Sequence, residues 1–209
     1  MSKKASIRQA SMAVSDYLVV KDREPRESQI LLADNAQMGL DADEVVVAEA
    51  ATGTGKGLVI AATAAHYAQR DLVIVAAPTH AILQQIISDY ERIQDAHEVA
   101  DYHSIKGRGE FLSEILVNDW LDDHPEHPAS EIVSGWLEDA TTQDWLRDTL
   151  DEKLSKAGFA LPLIELTTLL AAPNDEDRGY AAYQGQRAVP PTAGVIFTTH
   201  AMVSINNYK

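Results

Sequence analysis

The stretch EAATGTGKGL, residues 49–58, constrains this chain more than any other. Before it runs EVVVAEA (44–50), apolar and β-branched, which reads as a buried strand. After it comes GKGLVIAATAAHYAQR (55–70), helical in composition with no breaker beyond Gly57. Glycines at 53 and 55 permit a curvature that residues with a Cβ resist. Successive backbone N–H groups then converge at the start of a helix, where the dipole also favours negative charge. Lys56 stands where a side chain reaches the β- and γ-phosphates of a nucleotide. Thr52, Gly53, Thr54, Gly55, Lys56 and Gly57 are therefore the candidate residues for ATP, with Lys56 as the catalytic group. The plainer reading is a strand–helix turn with two glycines and a solvated lysine.

Two positions depart from the general pattern of such loops. Ala50 stands where a first Gly is usual, and Gly57 where Thr or Ser supplies a hydroxyl to Mg2+. Without that hydroxyl, water must fill the coordination place. Glycine there also weakens the helix start by up to ~1 kcal/mol relative to alanine. The expectation is that ATP binds, that hydrolysis is weak, and that Gly57→Thr strengthens the dependence on magnesium.

A second strand is expected at DLVIVAAP (71–78). The helix after Pro78 has Ile82, Leu83, Ile86, Ile87 and Tyr90 at helical spacing and Thr79 as its N-cap. A third strand, GVIFTTH (194–200), comes only near the C-terminus. A strand–helix–strand unit of this kind requires parallel strands and a right-handed crossover, so the core is α/β. Between these strands, residues 111–190 read as an inserted helical subdomain of three or four short amphipathic helices carrying all three tryptophans, Trp120, Trp136 and Trp145. That leaves 1–110 and 191–209 for the α/β domain. The insertion is also where the charge lies: residues 114–190 hold 16 acidic against 5 basic groups, most of the net −15. Such acidity argues against generic adhesion to nucleic acid, though not against a local basic track.

The chain contains no cysteine, which excludes disulfides, thiolate zinc sites and cysteine-ligated iron–sulfur clusters and fits a cytoplasmic protein. The N-terminal MSKKASIRQASMAVSDYLVV is too interrupted for a signal peptide and reads as an amphipathic helix. No apolar run approaches the ~18–20 residues of a membrane span. His124 and His127 in HPEHP hint at a metal, but Pro125 and Pro128 break the helix and no further ligands are spaced to complete a site. No protein metal site is expected.

Upstream of the loop, REPRESQILLADN places Arg26 and Gln29, the latter with an amide suited to an adenine edge, although a surface helix with Arg and Gln is the commoner explanation. The order PRESQ, EAATGTGKG, VIVAAPTHAILQQI, IKGRGEFLS and VIFTTHAMV resembles the first motor domain of DinG/XPD-type superfamily two DNA helicases. The family has Ala at position 50; Ala51 and Gly57 depart from it. The resemblance implies a RecA-like P-loop domain, here with an incomplete parallel sheet. It gives Arg26 and Gln29 to the adenine, and Thr79, Gln84, Lys106, Arg108 and His200 to single-stranded DNA. Lys106 and Arg108 lie on a Gly-flanked loop that is open to phosphates or is simply a solvated turn, and Thr79 also serves as a helix cap.

The family's first cluster-binding cysteine falls at Ser113, so the insertion takes the place of the iron–sulfur domain without a cluster. In this the chain is most similar to the DinG helicases of type IV CRISPR systems, which implies ATP-driven 5′–3′ movement on DNA beside a CRISPR ribonucleoprotein complex. The acidic strand end needed for hydrolysis has no good candidate, since Asp119 and Glu165 both sit in helical patterns. The chain thus reads as the N-terminal portion of a motor that does not unwind DNA alone. Two alternatives stay open: a degenerate fragment serving as a docking module, and a P-loop ATPase or kinase of another family.

Overall fold

The parallel pairing expected from the sequence is present, with one strand gained and one lost. The computed structural model describes residues 12–21, 24–139, 145–159, 169–171, 174–186 and 194–206. By its contacts the chain divides into two units, Met1–Ser104 with Pro190–Lys209, and Ile105–Val189.

In the first unit the sheet has three parallel strands: β1 (Val73–Ala77), β2 (Tyr102–Ser104) and β3 (Val195–Thr199), in the order β1-β3-β2. β3 is central and wholly buried, in register Val73↔Val195 to Ala77↔Thr199 with β1 and Tyr102↔Val195 to Ser104↔Phe197 with β2. The segment expected as the strand before the glycine loop does not form one. Residues 44–50 carry no strand assignment, and Val45 and Val47 are 93% and 92% exposed. An extended segment becomes a strand only when a neighbouring strand takes its N–H and C=O groups in a ladder, and none of the described strands pairs with this one. β2 was not legible in advance, because three residues with a polar middle position show no alternation.

α2 (Lys56–Tyr67) and α3 (His80–Ala96) pack on the sheet, and α1 (Glu27–Asp41) packs on α2. Thr79 caps α3, its Oγ1 accepting from the Ile82 N–H at 3.3 Å. Leu83, Ile86, Ile87 and Tyr90 bury the face the spacing marked, whereas Ile82 is 44% exposed. They meet the alanine-rich face of α2 and the buried side of β1 and β3 in one core. Tyr90, Tyr102 and Phe197 pack edge to face, with centroids 5.4–5.8 Å apart, and the Tyr90 hydroxyl donates to the Ala100 carbonyl. Burial pushes the Tyr90 hydroxyl well above its ordinary range. The helix expected over 1–20 lies mostly outside the described residues; what is described is a 3-10 turn, Val14–Leu18.

The second unit is helical: α4 (Glu114–Asp123), α5 (Ser130–Asp139), α6 (Arg147–Lys156) and α7 (Arg178–Gly185). The helical expectation at 161–168 lies outside the described residues. Trp120, Trp136 and Trp145 are all buried in one core, the last two edge to face at 5.4 Å. Ser113 is buried; its Oγ accepts from the Leu116 N–H at the start of α4 and donates to Asp177. Asp177 in turn caps α7 through the Tyr180 N–H at 3.0 Å, so one pair ties two helix ends. His124 and His127 pack against the Trp120 ring, and His124 Nδ1 engages the Trp120 carbonyl at 2.9 Å. After β3 the chain enters α8 (His200–Asn206) in the first unit. Among the described residues no helix is long and apolar enough to cross a membrane.

Candidate nucleotide-binding site

The glycine loop is folded from three sides. Gly53 and Gly55 both take φ of +81°, the left-handed region that L side chains resist, and Gly55 is the N-cap of α2. Thr54 Oγ1 donates to the Ala51 carbonyl at 2.8 Å and closes the turn, while Thr52 is exposed at its crest. Lys56 folds back so that Nζ donates to the Ala50 carbonyl at 2.5 Å and the Ala51 carbonyl at 3.0 Å. Among the described residues, no backbone acceptor meets the N–H groups of Gly53, Gly55, Lys56 or Gly57. These are the orphan donors of a helix start, and they span the end of the glycine loop and the first two residues of α2.

α1 holds the loop from outside. Arg26 Nη1 donates to the Gly53 carbonyl at 2.8 Å, and Gln29 Nε2 donates to the Gly55 carbonyl at 3.3 Å. Gln29 is buried, and its Oε1 accepts from the Arg26 N–H at 3.0 Å, so both ends of the amide are engaged with backbone. An adenine edge would have to replace those bonds. The far end of α1 is fastened to α2 by Asp41, which accepts from the Tyr67 hydroxyl at 3.0 Å and from Arg70 at 3.1 Å. Those bonds, that of Tyr67 foremost, hold the Asp41 carboxyl below its ordinary range. Burial first, and then Asp41, push the Tyr67 hydroxyl up to about 12.

A cleft of about 460 Å³ opens beside the loop, lined by Arg26, Gln29, Gly53 and Gly55 on one side and by Gln85, Asp89 and Arg92 of α3 on another. Gln85, Asp89 and Arg92 were missed by sequence reasoning, because no motif marks a polar residue inside an amphipathic helix. Asp89 is buried and its Oδ1 accepts from Arg92 Nη1 at 2.9 Å.

The other sequence candidates are distributed unevenly. Thr79 and His200 follow the C-terminal ends of β1 and β3, adjacent strands paired to Ala77↔Thr199. This is the edge where open α/β sheets carry ligand sites. His200 Nε2 contacts the Ala76 carbonyl at 3.2 Å. Gln84 is exposed on α3. Lys106 and Arg108 belong to the second unit. Lys106 is not the open cation expected from its glycine neighbour: its side chain is 12% exposed and Nζ lies 3.8 Å from Asp148 Oδ2. Its backbone is clamped by the Gln186 amide at 2.8 and 2.6 Å. Arg108 is exposed on the 3-10 turn Arg108–Glu110. Asp119 lies within α4, as its helical pattern implied, and Glu165 lies outside the described residues.

A left-handed glycine loop opening a helix, with a lysine at its end and a parallel sheet beneath, has the build of a P-loop site on an α/β domain. Residues 22–124 match the family model for the res subunit of type III restriction enzymes, a helicase-like domain of superfamily two. The match points to a helicase-like nucleotide-binding motor fragment and to a partial RecA-like fold, and carries nothing specific to DinG proteins. No curated protein matches the chain.

The donor set suits an ATP phosphate tail: orphan N–H groups, Lys56, and Arg26 beside the same cleft. For magnesium, Gly57 offers no hydroxyl, while the Asp89 carboxylate borders the same place.

Proposed function

We propose that the first unit binds ATP through residues 52–57 and is the nucleotide-binding portion of a DNA helicase motor of the DinG type. The observation that carries this reading is the joint geometry of Gly53 and Gly55, which border the cleft lined by Arg26 and Gln29, with Lys56 as the first residue of α2. When a nucleotide enters, the Lys56 ammonium leaves the Ala50 and Ala51 carbonyls for the β- and γ-phosphates, and the orphan N–H groups take the phosphate oxygens. Arg26 and Gln29 hold the loop in shape through the Gly53 and Gly55 carbonyls. Magnesium supplies charge neutralisation at those phosphates. The order of the Arg-x-x-Gln, glycine-loop, KGR and TTHA segments supports the DinG type, single-stranded DNA as partner, and 5′–3′ movement beside a CRISPR ribonucleoprotein complex. On this reading Thr79, Gln84 and His200 face the strand, Arg108 rather than the paired Lys106 is the open cation of the KGR segment, and the helical unit stands in place of the iron–sulfur domain.

A second reading, a docking module without productive ATP use, is favoured by one feature: the side chains of Lys56 and Gln29 are both already bonded to the loop's own backbone. Calorimetric titration with ADP and ATP separates the two. The motor reading expects binding that weakens at least tenfold in Lys56→Ala, a loss of about 1.4 kcal/mol. Equal behaviour of the two proteins, or no binding to either, selects the module.

A further inference from the structure

The cleft beside the glycine loop has a second wall, chemically unlike the first. Gln85, Ser88, Asp89 and Arg92 of α3 all line it. Their spacing of i, i+3, i+4 and i+7 sets them in one stripe along the helix. Asp89 orients Arg92 by accepting from its Nη1 at 2.9 Å, and Leu58, buried at the start of α2, adds an apolar patch. The charged groups of the lining balance, Glu24 and Asp89 against Arg26 and Arg92. A cleft so composed gives a further phosphate no net attraction and suits an uncharged, polar ligand part, as a base and its sugar are.

On the loop side, Gln29 is already committed. It is 6% exposed, its Oε1 accepts from the Arg26 N–H at 3.0 Å, and its Nε2 donates to the Gly55 carbonyl at 3.3 Å. An amide whose two ends both serve the backbone reads a base only by releasing the loop. Resting on the nucleotide reading above, we propose that Gln85, Ser88 and Arg92 contact the base and sugar of the nucleotide, and that Gln29 is a positioning residue acting through the shape of the loop. Gln85 is exposed, so its amide turns freely. An amide and a hydroxyl each donate as well as accept, so the same pair serves adenine and guanine alike. The planar Arg92 guanidinium is suited to lie against a base face. The ligand class is therefore purine nucleoside phosphates rather than adenine nucleotides alone.

The test is the calorimetric affinity of the full chain for ADP, GDP and pyrophosphate, the last carrying neither base nor sugar. It compares the natural sequence with Gln85→Ala and Gln29→Ala, all in magnesium. The natural chain is expected to bind ADP and GDP within threefold of each other, and both at least tenfold tighter than pyrophosphate. Gln85→Ala should weaken ADP at least threefold more than it weakens pyrophosphate, whereas Gln29→Ala should weaken all three ligands by the same factor. A tenfold preference for ADP over GDP, a Gln29→Ala loss that spares pyrophosphate, or ADP binding that Gln85→Ala leaves unchanged overturns the assignment. Pyrophosphate bound as tightly as ADP overturns it as well, while leaving the phosphate-binding loop standing. Absence of binding by all three ligands overturns the nucleotide reading with it. Should Gln29→Ala not fold, Gln85→Ala, altering an exposed side chain, decides by the ratio of its ADP loss to its pyrophosphate loss.

Discussion

Gly53 and Gly55 share one backbone conformation but not one environment, and alanine at each separates two energies. Both have φ of +81°, so a Cβ at either position costs roughly 1–2 kcal/mol of left-handed strain. Restricting the unfolded chain returns ~0.4–1 kcal/mol of that. Around Gly53 a Cβ meets nothing within 4 Å; at Gly55 it runs into Gln29 Nε2. Gln29 cannot swing aside freely, being buried and holding the Arg26 N–H and the Gly55 carbonyl. Displacing it removes a hydrogen bond worth about 1 kcal/mol and strands part of a buried amide at about 1 kcal/mol more. Gly53→Ala should therefore destabilise by about 1 kcal/mol and Gly55→Ala by about 2–3 kcal/mol, read from urea midpoints at constant slope. In a Gln29→Ala background the excess at Gly55 should vanish, a coupling that a double-mutant cycle isolates. Equal costs at the two glycines, or an excess that survives loss of Gln29, would show that α1 does not support the loop.

Two further outcomes follow from single contacts. Tyr67 is raised from 10.0 to about 12, so the folded state keeps its proton longer than the unfolded chain. Its stabilisation is complete below pH 10 and is lost as pH rises from 10 to about 12, so Tyr67→Phe should show a shallower alkaline fall in Tm across that window, and an unchanged fall refutes the linkage. Tyr102, also raised to about 12, keeps the slope from disappearing. Gly57→Ala should lower Tm, because overpacking against Asp89 at about 1–3 kcal/mol exceeds the gain in helix propensity of up to ~1 kcal/mol. In an Asp89→Ala background the same substitution should raise Tm, and a failure of the sign to change refutes the contact.

Much of the fold was legible because it rests on short-range pattern. The helical spacing of Leu83, Ile86, Ile87 and Tyr90 marks the buried face of α3, and the β-branched runs mark β1 and β3, which pair although 118 residues separate their ends. EVVVAEA carries the same local signal and is not a strand, since a ladder depends on a neighbour that no local pattern supplies. The reverse holds for Tyr102–Ser104, which has almost no strand signal and pairs because β3 offers a central edge. The KGR loop fails in the same way: glycines suggest openness, yet Gln186, 80 residues on, clamps Lys106.

The site divides along the same line. The glycines, Lys56, and the Arg26–Gln29 pair are readable because loop curvature and helix capping are local, whereas the use to which Gln29 is put, bracing Gly55, is a tertiary fact. Gly57 shows the consequence most clearly. Read along the chain, it is a deficit, a missing hydroxyl and a weak helix start that Gly57→Thr should repair. In the fold, the position where threonine would grow is bordered by Asp89 Oδ2 at 2.7 Å from the Cβ, so threonine enters only by displacing that oxygen. A departure from a motif is therefore a loss only if nothing elsewhere in the sequence occupies the vacated volume. Here a buried carboxylate from α3 occupies it, so a side chain at 57 meets a neighbour that the loop's own sequence does not reveal.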